Sequence, residues 1–196
     1  MKTRDRILDA ALGLFNTEGV GSQSALDIAS TMGISAGHLY YHFRGKPEIL
    51  VHLMARHREE IDLVTQALTD AASTPSLESL WTHIHILVEE TWDARFFWRE
   101  IALAEGHDEL AHHARRVLVA IQKSVLAMLM ALSQTGLINA TSETLDGLAG
   151  QIATGVAFHC HALSLVFQDE PPRERIARAA AQIMTPVAGF AAGYAA

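Results

Sequence analysis

A chain of 196 residues, 49% of them hydrophobic, is long enough to bury a sizeable core, and its 15 Lys/Arg against 22 Asp/Glu leave a formal charge of −7. Its single cysteine, Cys160, excludes an intramolecular disulfide framework and fits a reducing compartment. Residues 1–6 are charged and lead straight into a helical pattern, and no apolar run approaches the roughly 18 residues of a membrane span, so a cytoplasmic protein with no membrane partner is expected.

Strand-like alternation is absent while Ala and Leu abound, which predicts an all-α fold of about nine helices. The first covers about residues 3–18, with Ile7, Leu8, Ala11, Leu12 and Phe15 on one face and Gly19 as its stop. Lys2, Arg4 and Arg6 are left free for an anionic partner. Residues 24–46, SALDIASTMGISAGHLYYHFRGK, contain two short helical patterns about a turn. In the first, spacing buries Leu26, Ile28, Ala29 and Met32, with Ser24 as N-cap and Asp27 completing a capping box. Gly33 turns the chain, and Ser35 caps a second helix at 36–43 that points Leu39 and Phe43 inward. Its outer face then carries Gly37, His38, Tyr40, Tyr41 and His42: two tyrosines, two histidines and no acid. Such a face suits a nucleic-acid groove, and the pair reads as a helix-turn-helix with residues 36–42 as recognition helix.

Pro47 opens a long helix to about residue 72, on which Leu50, Leu53, Met54, His57, Ile61, Val64 and Leu68 recur at helical spacing. It joins a head, residues 1–46, to a body, residues 47–196, without a flexible linker. Residues 73–76 break the pattern, and further helices are predicted at about 77–91, 94–105, 108–134, 142–167 and 173–190. Charge divides along the same line. Residues 1–58 carry a net +2 and the remainder a net −9, so a mildly basic head sits on an acidic body that repels phosphate.

The string IASTMGISAGHLYYHFRGKPEIL resembles the DNA-binding signature of the TetR/AcrR family of bacterial regulators. The resemblance is carried by Ile28-Ala29, Gly33, Leu39-Tyr40, then Tyr41, Phe43 and Lys46. It covers residues 4–50; beyond them only length and helical pattern match. Ala25 departs from the family's frequent threonine. The resemblance implies a DNA-binding domain at 1–46 and an effector-binding and dimerisation domain at 47–196. It implies base contacts from Ala36, Gly37 and His38, and phosphate or thymine-methyl contacts from Tyr40, Tyr41 and His42. Ser24 and Lys46 would be further phosphate partners. It also implies a homodimer through the last two helices, which are rich in Ala and Gly, on double-stranded palindromic DNA. The function expected is that of a transcriptional repressor released by a small molecule.

In the body, Trp81, Trp92, Phe96, Trp98, Met128, Phe158 and His159 are candidates for lining a cavity, pointing to a small, largely apolar effector. No cofactor and no metal are expected. His83 and His85 lie on opposite helix faces, and His107, His112 and His113 flank a helix start, where solvent is expected. His159-Cys160-His161 leaves open a metal- or redox-sensing regulator of the same fold, and the tyrosine-rich head leaves open a protein-binding adaptor. An enzyme is not expected: no G-x-S-x-G or phosphate-binding loop occurs, and Glu109-x-x-His112 is one motif where a di-iron bundle needs two.

Overall fold

The computed structural model describes residues 2–101, 108–167 and 169–191. Among them run nine helices in chain order: α1 (Thr3–Glu18), α2 (Ala25–Thr31), α3 (Ala36–His42), α4 (Lys46–Ala71), α5 (Leu77–Asp93), α6 (Arg95–Ile101), α7 (Asp108–Gln134), α8 (Ser142–Val166) and α9 (Pro172–Ala188). The fold is all-α, the one extended contact described being an isolated bridge between Ile138 and Ala191. The helices fall within a few residues of their predicted bounds. The predicted end of α6 and its following Gly106 lie outside the described residues, as does His107.

In the head, α1 and α3 each pack on α2 around Ile7, Ala11, Phe15, Ile28, Leu39 and Phe43, all essentially solvent-free. The buried face of α2 is Ala25, Ile28 and Ala29, whereas Leu26 is 55% exposed, against the expectation from spacing. Residues 25, 28 and 29 form an i, i+3, i+4 set, and Leu26, about 100° round the helix from Ala25, falls outside that arc. Gly33, at φ 66, turns the chain between α2 and α3, and the following Ile34 N–H donates back to the Ala29 carbonyl at 3.0 Å.

α4 continues from head to body as one helix of 26 residues, burying Ile49, Leu53, His57, Ile61, Thr65 and Leu68. It packs on α1 near its start and on α5 and α7 along its length. α7, in turn, packs on α4 and α8. By length and composition alone its Leu110–Gln134 stretch is apolar enough to cross a membrane, contrary to the reading of the raw sequence. The stretch holds no unbroken apolar run of that length and reaches its mean hydropathy through alanines and leucines spread among few charges.

α8 and α9 form an antiparallel pair anchored at both ends. Asn139 N–H donates to the Phe190 carbonyl at 2.8 Å, and buried Arg175 donates to the carbonyls of Phe167 (3.0 Å) and Glu170 (2.7 Å). The Phe167 carbonyl is one that the end of α8 leaves without a helical partner, and the Glu170 carbonyl belongs to the turn that follows. At the centre of the pair, a Cβ placed on Gly155 would stand 3.0 Å from Ile183 Cγ1. Gly155→Val is therefore expected to force the two helices apart and cost about 1–3 kcal/mol, read as a lower urea midpoint at unchanged slope.

Candidate nucleic-acid interface and its connection to the body

The recognition helix is held by its own sequence. Ser35 caps it, accepting from His38 N–H at 3.1 Å, while Leu39 and Phe43 sink into the head core. Outward stand Gly37, His38, Tyr40 (50% exposed) and Tyr41 (84% exposed), with Ala36 and His42 half-buried at either end. His38 stacks on His42 with ring centroids 5.5 Å apart, and Tyr41 meets His42 edge-on at 5.1 Å. Three rings on one short helix thus support each other, so the face is pre-ordered rather than a fringe of free side chains.

The flanking polar residues are more committed than the sequence indicates. Ser24 and Asp27 form a reciprocal cap: Asp27 N–H donates to Ser24 Oγ at 3.3 Å, and the Asp27 carboxylate accepts from Ser24 N–H at 2.8 Å and from its hydroxyl at 2.6 Å. The hydroxyl bond first, then the backbone bond, holds the Asp27 carboxyl below its usual range. Lys46 Nζ donates to the Val20 carbonyl at 2.9 Å, pinning the α1–α2 loop to the start of α4. Arg4 is not free, against the expectation: its guanidinium lies 4.9 Å over the Phe43 ring and donates to His52 Nε2 at 2.6 Å. Lys2, Arg6 and Arg44 are exposed on the head.

The head meets the body where α5 breaks into α6. A helix end leaves carbonyls without partners and a helix start leaves N–H groups without them. Asn16, buried on α1, fills one of each: its Nδ2 donates to the Asp93 carbonyl at 2.7 Å, and its Oδ1 accepts from Phe96 N–H at 2.9 Å. Arg99 on α6 donates to the Phe15 carbonyl at 2.7 Å, Glu100 accepts from Val20 N–H at 3.3 Å, and the Phe15 and Phe96 rings lie 5.8 Å apart. Arg56 on α4 adds an ion pair to Asp9 on α1 at 2.7 Å.

The proposed cavity-lining residues do not converge. Trp81 stands at the surface against His85, and His159 bonds Gln182 at 2.6 Å. Trp92 lies between the guanidinium groups of Arg95 and Arg175, 4.9 and 5.2 Å from its ring. Phe96 belongs to the head junction, and Met128 is solvent-free core. Among the ring pairs of the described residues, Trp98 and Phe158 of this set meet edge-on at 5.5 Å. Around Trp98 gather three residues that the candidate set left out: Phe97 at 5.0 Å, His57 at 6.1 Å and, on Phe97, His113 at 4.7 Å. His113 is buried, not solvated as expected. The signal was present, since His113, Val117 and Ile121 share an i, i+4, i+8 stripe and His57 sits on the buried stripe of α4.

Both ring nitrogens of His57, Trp98 Nε1 and His113 Nε2 are buried without a hydrogen-bond partner. Burial, and the neighbouring His113, push the His57 imidazole down to about 3; burial and then Arg58 and Arg116 push His113 to about 4. Cys160 is buried, and burial pushes its thiol up to about 11. Among the described residues no group of three His, Cys, Asp or Glu stands close enough to hold a metal ion.

A cavity of about 60 Å³ is lined by Leu12 of α1 together with Leu53, Arg56, His57 and Glu60 of α4 and Glu90, Asp93, Ala94 and Phe96 around the α5–α6 break.

Comparison with known proteins completes the picture. Residues 7–53 match the pattern described as bacterial regulatory proteins, tetR family, and residues 56–195 match that of a bacterial transcriptional repressor, TetR. The probable HTH-type transcriptional regulator YttP of Bacillus subtilis is 28% identical over 111 residues, 53% of this chain and 52% of its own. The curated relatives are thus matched over about half of their length or less. A TetR-family regulator from Marinobacter aquaeolei has the same fold at a TM-score of 0.82 and 22% identity, over 98% of this chain and 93% of its own. The SmeT–triclosan complex superposes at 0.65 and 16% identity, over 98% and 93%.

Two outcomes are expected from the junction and the cluster. Asn16→Ala strands the Asp93 carbonyl and Phe96 N–H, and is expected to lower stability by about 1–3 kcal/mol in urea unfolding. The histidines set a pH dependence. Their folded pKa values lie below the unfolded value near 6.5, so the unfolded chain takes protons that the folded one refuses. Stability is then unaffected above about pH 7 and falls as pH drops from about 6.5 toward 4, by on the order of 1 kcal/mol per pH unit for each imidazole. His57→Phe is expected to flatten that fall in urea midpoints measured at pH 7 and pH 5. With a pre-ordered recognition helix, a continuous link to a helical body and family patterns over almost its whole length, the chain belongs to the tetR family of bacterial regulatory proteins.

Proposed function

We propose that the protein is a dimeric, DNA-binding transcriptional regulator, a repressor released from a palindromic operator by a small effector bound in the body. The observation that carries this reading is the outer face of α3. His38, Tyr40 and Tyr41 project from a capped, packed helix that bears no acid, within the one basic part of an acidic chain. An acid-free face of this kind fits the major groove, with Ala36, Gly37 and His38 at base edges. Tyr40, Tyr41 and His42 fall at phosphates or thymine methyls. Ser24 and Lys46 flank it, Lys46 reaching a phosphate by releasing the Val20 carbonyl.

One head offers few contacts, so two are needed about 34–36 Å apart, in successive major grooves. The α8–α9 pair supports the dimer. Its outer side exposes Gly147, Ala162, Leu165 and Val166 on α8 and Ala177, Ala181 and Ala188 on α9, small and apolar groups that let a second copy approach closely. For the effector, the reading rests on the cluster about Trp98 and Phe158. An effector with an apolar body and an acceptor for the Trp98 N–H would relieve buried groups that cost about 1–3 kcal/mol each when unpaired. The related fold of SmeT holds triclosan, a molecule of that general kind.

Gel retardation tests the reading. Fragments from upstream of the gene are expected to be shifted, with affinity falling steeply as salt rises. Tyr41→Ala is expected to weaken binding about tenfold or more on all sequences, and His38→Ala to relax base preference at one position per half-site by about 1–3 kcal/mol. Absence of any shift at low salt on such fragments would instead favour a protein-binding role for the head.

A further inference from the structure

We infer that the buried pair His57 and His113 is an acid-operated release: on taking up protons it displaces α6, which frees the head from its seat on the body and lets DNA go. This regulation rests on the DNA-binding function proposed above and adds the proton to it as an effector.

The pair is placed where a charge has no support. His57 on α4 is 3% exposed, His113 on α7 is 8% exposed, and their rings lie 6.0 Å apart. Both nitrogens of His57 and Nε2 of His113 are buried without a hydrogen-bond partner, so no acceptor meets the proton that would make either ring a cation. Neighbouring charges do not compensate. Around His113 stand Arg58 and Asp62 of α4 and Arg116 and His112 of α7, three basic groups against one carboxylate. Against His57 lie the uncharged rings of Phe97 and Trp98 on α6, and His113 itself. Arg56 and Glu60 of α4 and Glu90 and Asp93 of α5 share a cavity lining with His57, but none of them bonds its ring nitrogens.

Both imidazoles lean on α6. Phe97 stands 4.7 Å from His113 and 6.1 Å from His57, and Trp98 stands 6.1 Å from His57. A ring that takes a charge must leave this cluster for water, and α6 is the element in its way. That helix has seven residues, and the same residues hold the head. Phe96 N–H donates to Asn16, Arg99 donates to the Phe15 carbonyl, and the Phe96 ring packs on Phe15. Moving Phe97 and Trp98 therefore withdraws Phe96 and Arg99 from α1. The sign follows from burial, which keeps the closed imidazoles neutral down to about 3 for His57 and about 4 for His113. An opened cluster takes protons as free histidines do, near pH 6.5, so acid favours the opened form. At about pH 5.5 the shift is about tenfold for each imidazole and about a hundredfold for the pair.

The test compares the full-length protein at about pH 7.5 and about pH 5.5, at equal ionic strength, with two readouts. The first is hydrogen exchange corrected for the intrinsic effect of pH. In acid, protection of the Phe96 and Phe97 amides is expected to fall about thirtyfold or more, while Ile28 and Leu39 in the head core keep theirs. The second is binding to an upstream DNA fragment, expected to weaken about fivefold or more in acid. Protonation of His38 and His42 on α3 would act in the opposite direction, tightening contact with phosphate. His57→Phe and His113→Phe each substitute a ring that takes no proton. Each is expected to bind DNA as the parent does at neutral pH and to remove about tenfold of the acid effect on protection. Two single variants keep the comparison readable if one of them fails to fold. Equal loss of protection in the head core and in α6 would show global acid unfolding and overturn the release. So would an acid effect undiminished in both variants, or parent DNA binding as tight in acid as at neutral pH. Failure to bind any fragment at neutral pH would overturn the DNA-binding reading instead, and the protection of α6 would still decide whether acid opens the seat.

Discussion

The structure depends on how one amide satisfies two helix ends. Where α5 stops and α6 starts, the chain leaves a part-buried carbonyl and a buried N–H under the head. A side chain with a donor and an acceptor on one planar group satisfies both. Asn16 supplies that group from α1, at 2.7 and 2.9 Å. The break in the body is thereby completed by the head. Neither part has a finished hydrogen-bond inventory without the other, and the flanking contacts of Arg99 with Phe15 and of Glu100 with Val20 depend on that seating.

α6 therefore serves two neighbourhoods at once. Phe96 and Arg99 face α1, while Phe97 and Trp98 face the buried histidines of α4 and α7. A molecule that repacks the second set acts on a helix of about two turns whose other side is bonded to the head. In the function proposed above, coupling of this kind would be reciprocal: a molecule that loosened the grip on DNA would itself bind less tightly when DNA is present. The nitrogens of His57, Trp98 and His113 are buried without partners, and a group in that state gains more from a new hydrogen bond than a satisfied one would.

Much of this was legible in residue order. Helix bounds followed from caps and breakers, because Ser24, Ser35, Ser76 and Pro47 act on their own few neighbours. Burial of Leu39, Phe43, Leu53 and His57 followed from spacing alone. Leu26 was misplaced because a seven-residue helix gives too little period to fix its phase, and the neighbouring Ala25 took the inward position. Arg4 and Lys46 look like free cations in a string of letters; that they rest on Phe43 and on the Val20 carbonyl depends on tertiary placement. The body was least legible. Aromatic residues mark apolar interiors without saying which interior, so Trp81, Trp92 and Phe96 scattered, while His113, expected in solvent, is buried. Asn16 carries no sequence signal, since its two partners lie 77 and 80 residues away.

Only Phe43, Arg44 and Gly45 separate the recognition helix from α4, and the Arg44 N–H is bonded to Glu48 at 2.6 Å. There is no slack in that connection, so α3 follows α4 as a tool follows its shaft. At a rise of about 1.5 Å per residue, a helix of 26 residues is a rod of about 39 Å. Tilting such a rod about its far end by about 5° carries its tip some 3.4 Å, which is about one base-pair step along a DNA strand. In the function proposed above, a change of a few degrees in the body would be felt at the head on the scale of a single base-pair step.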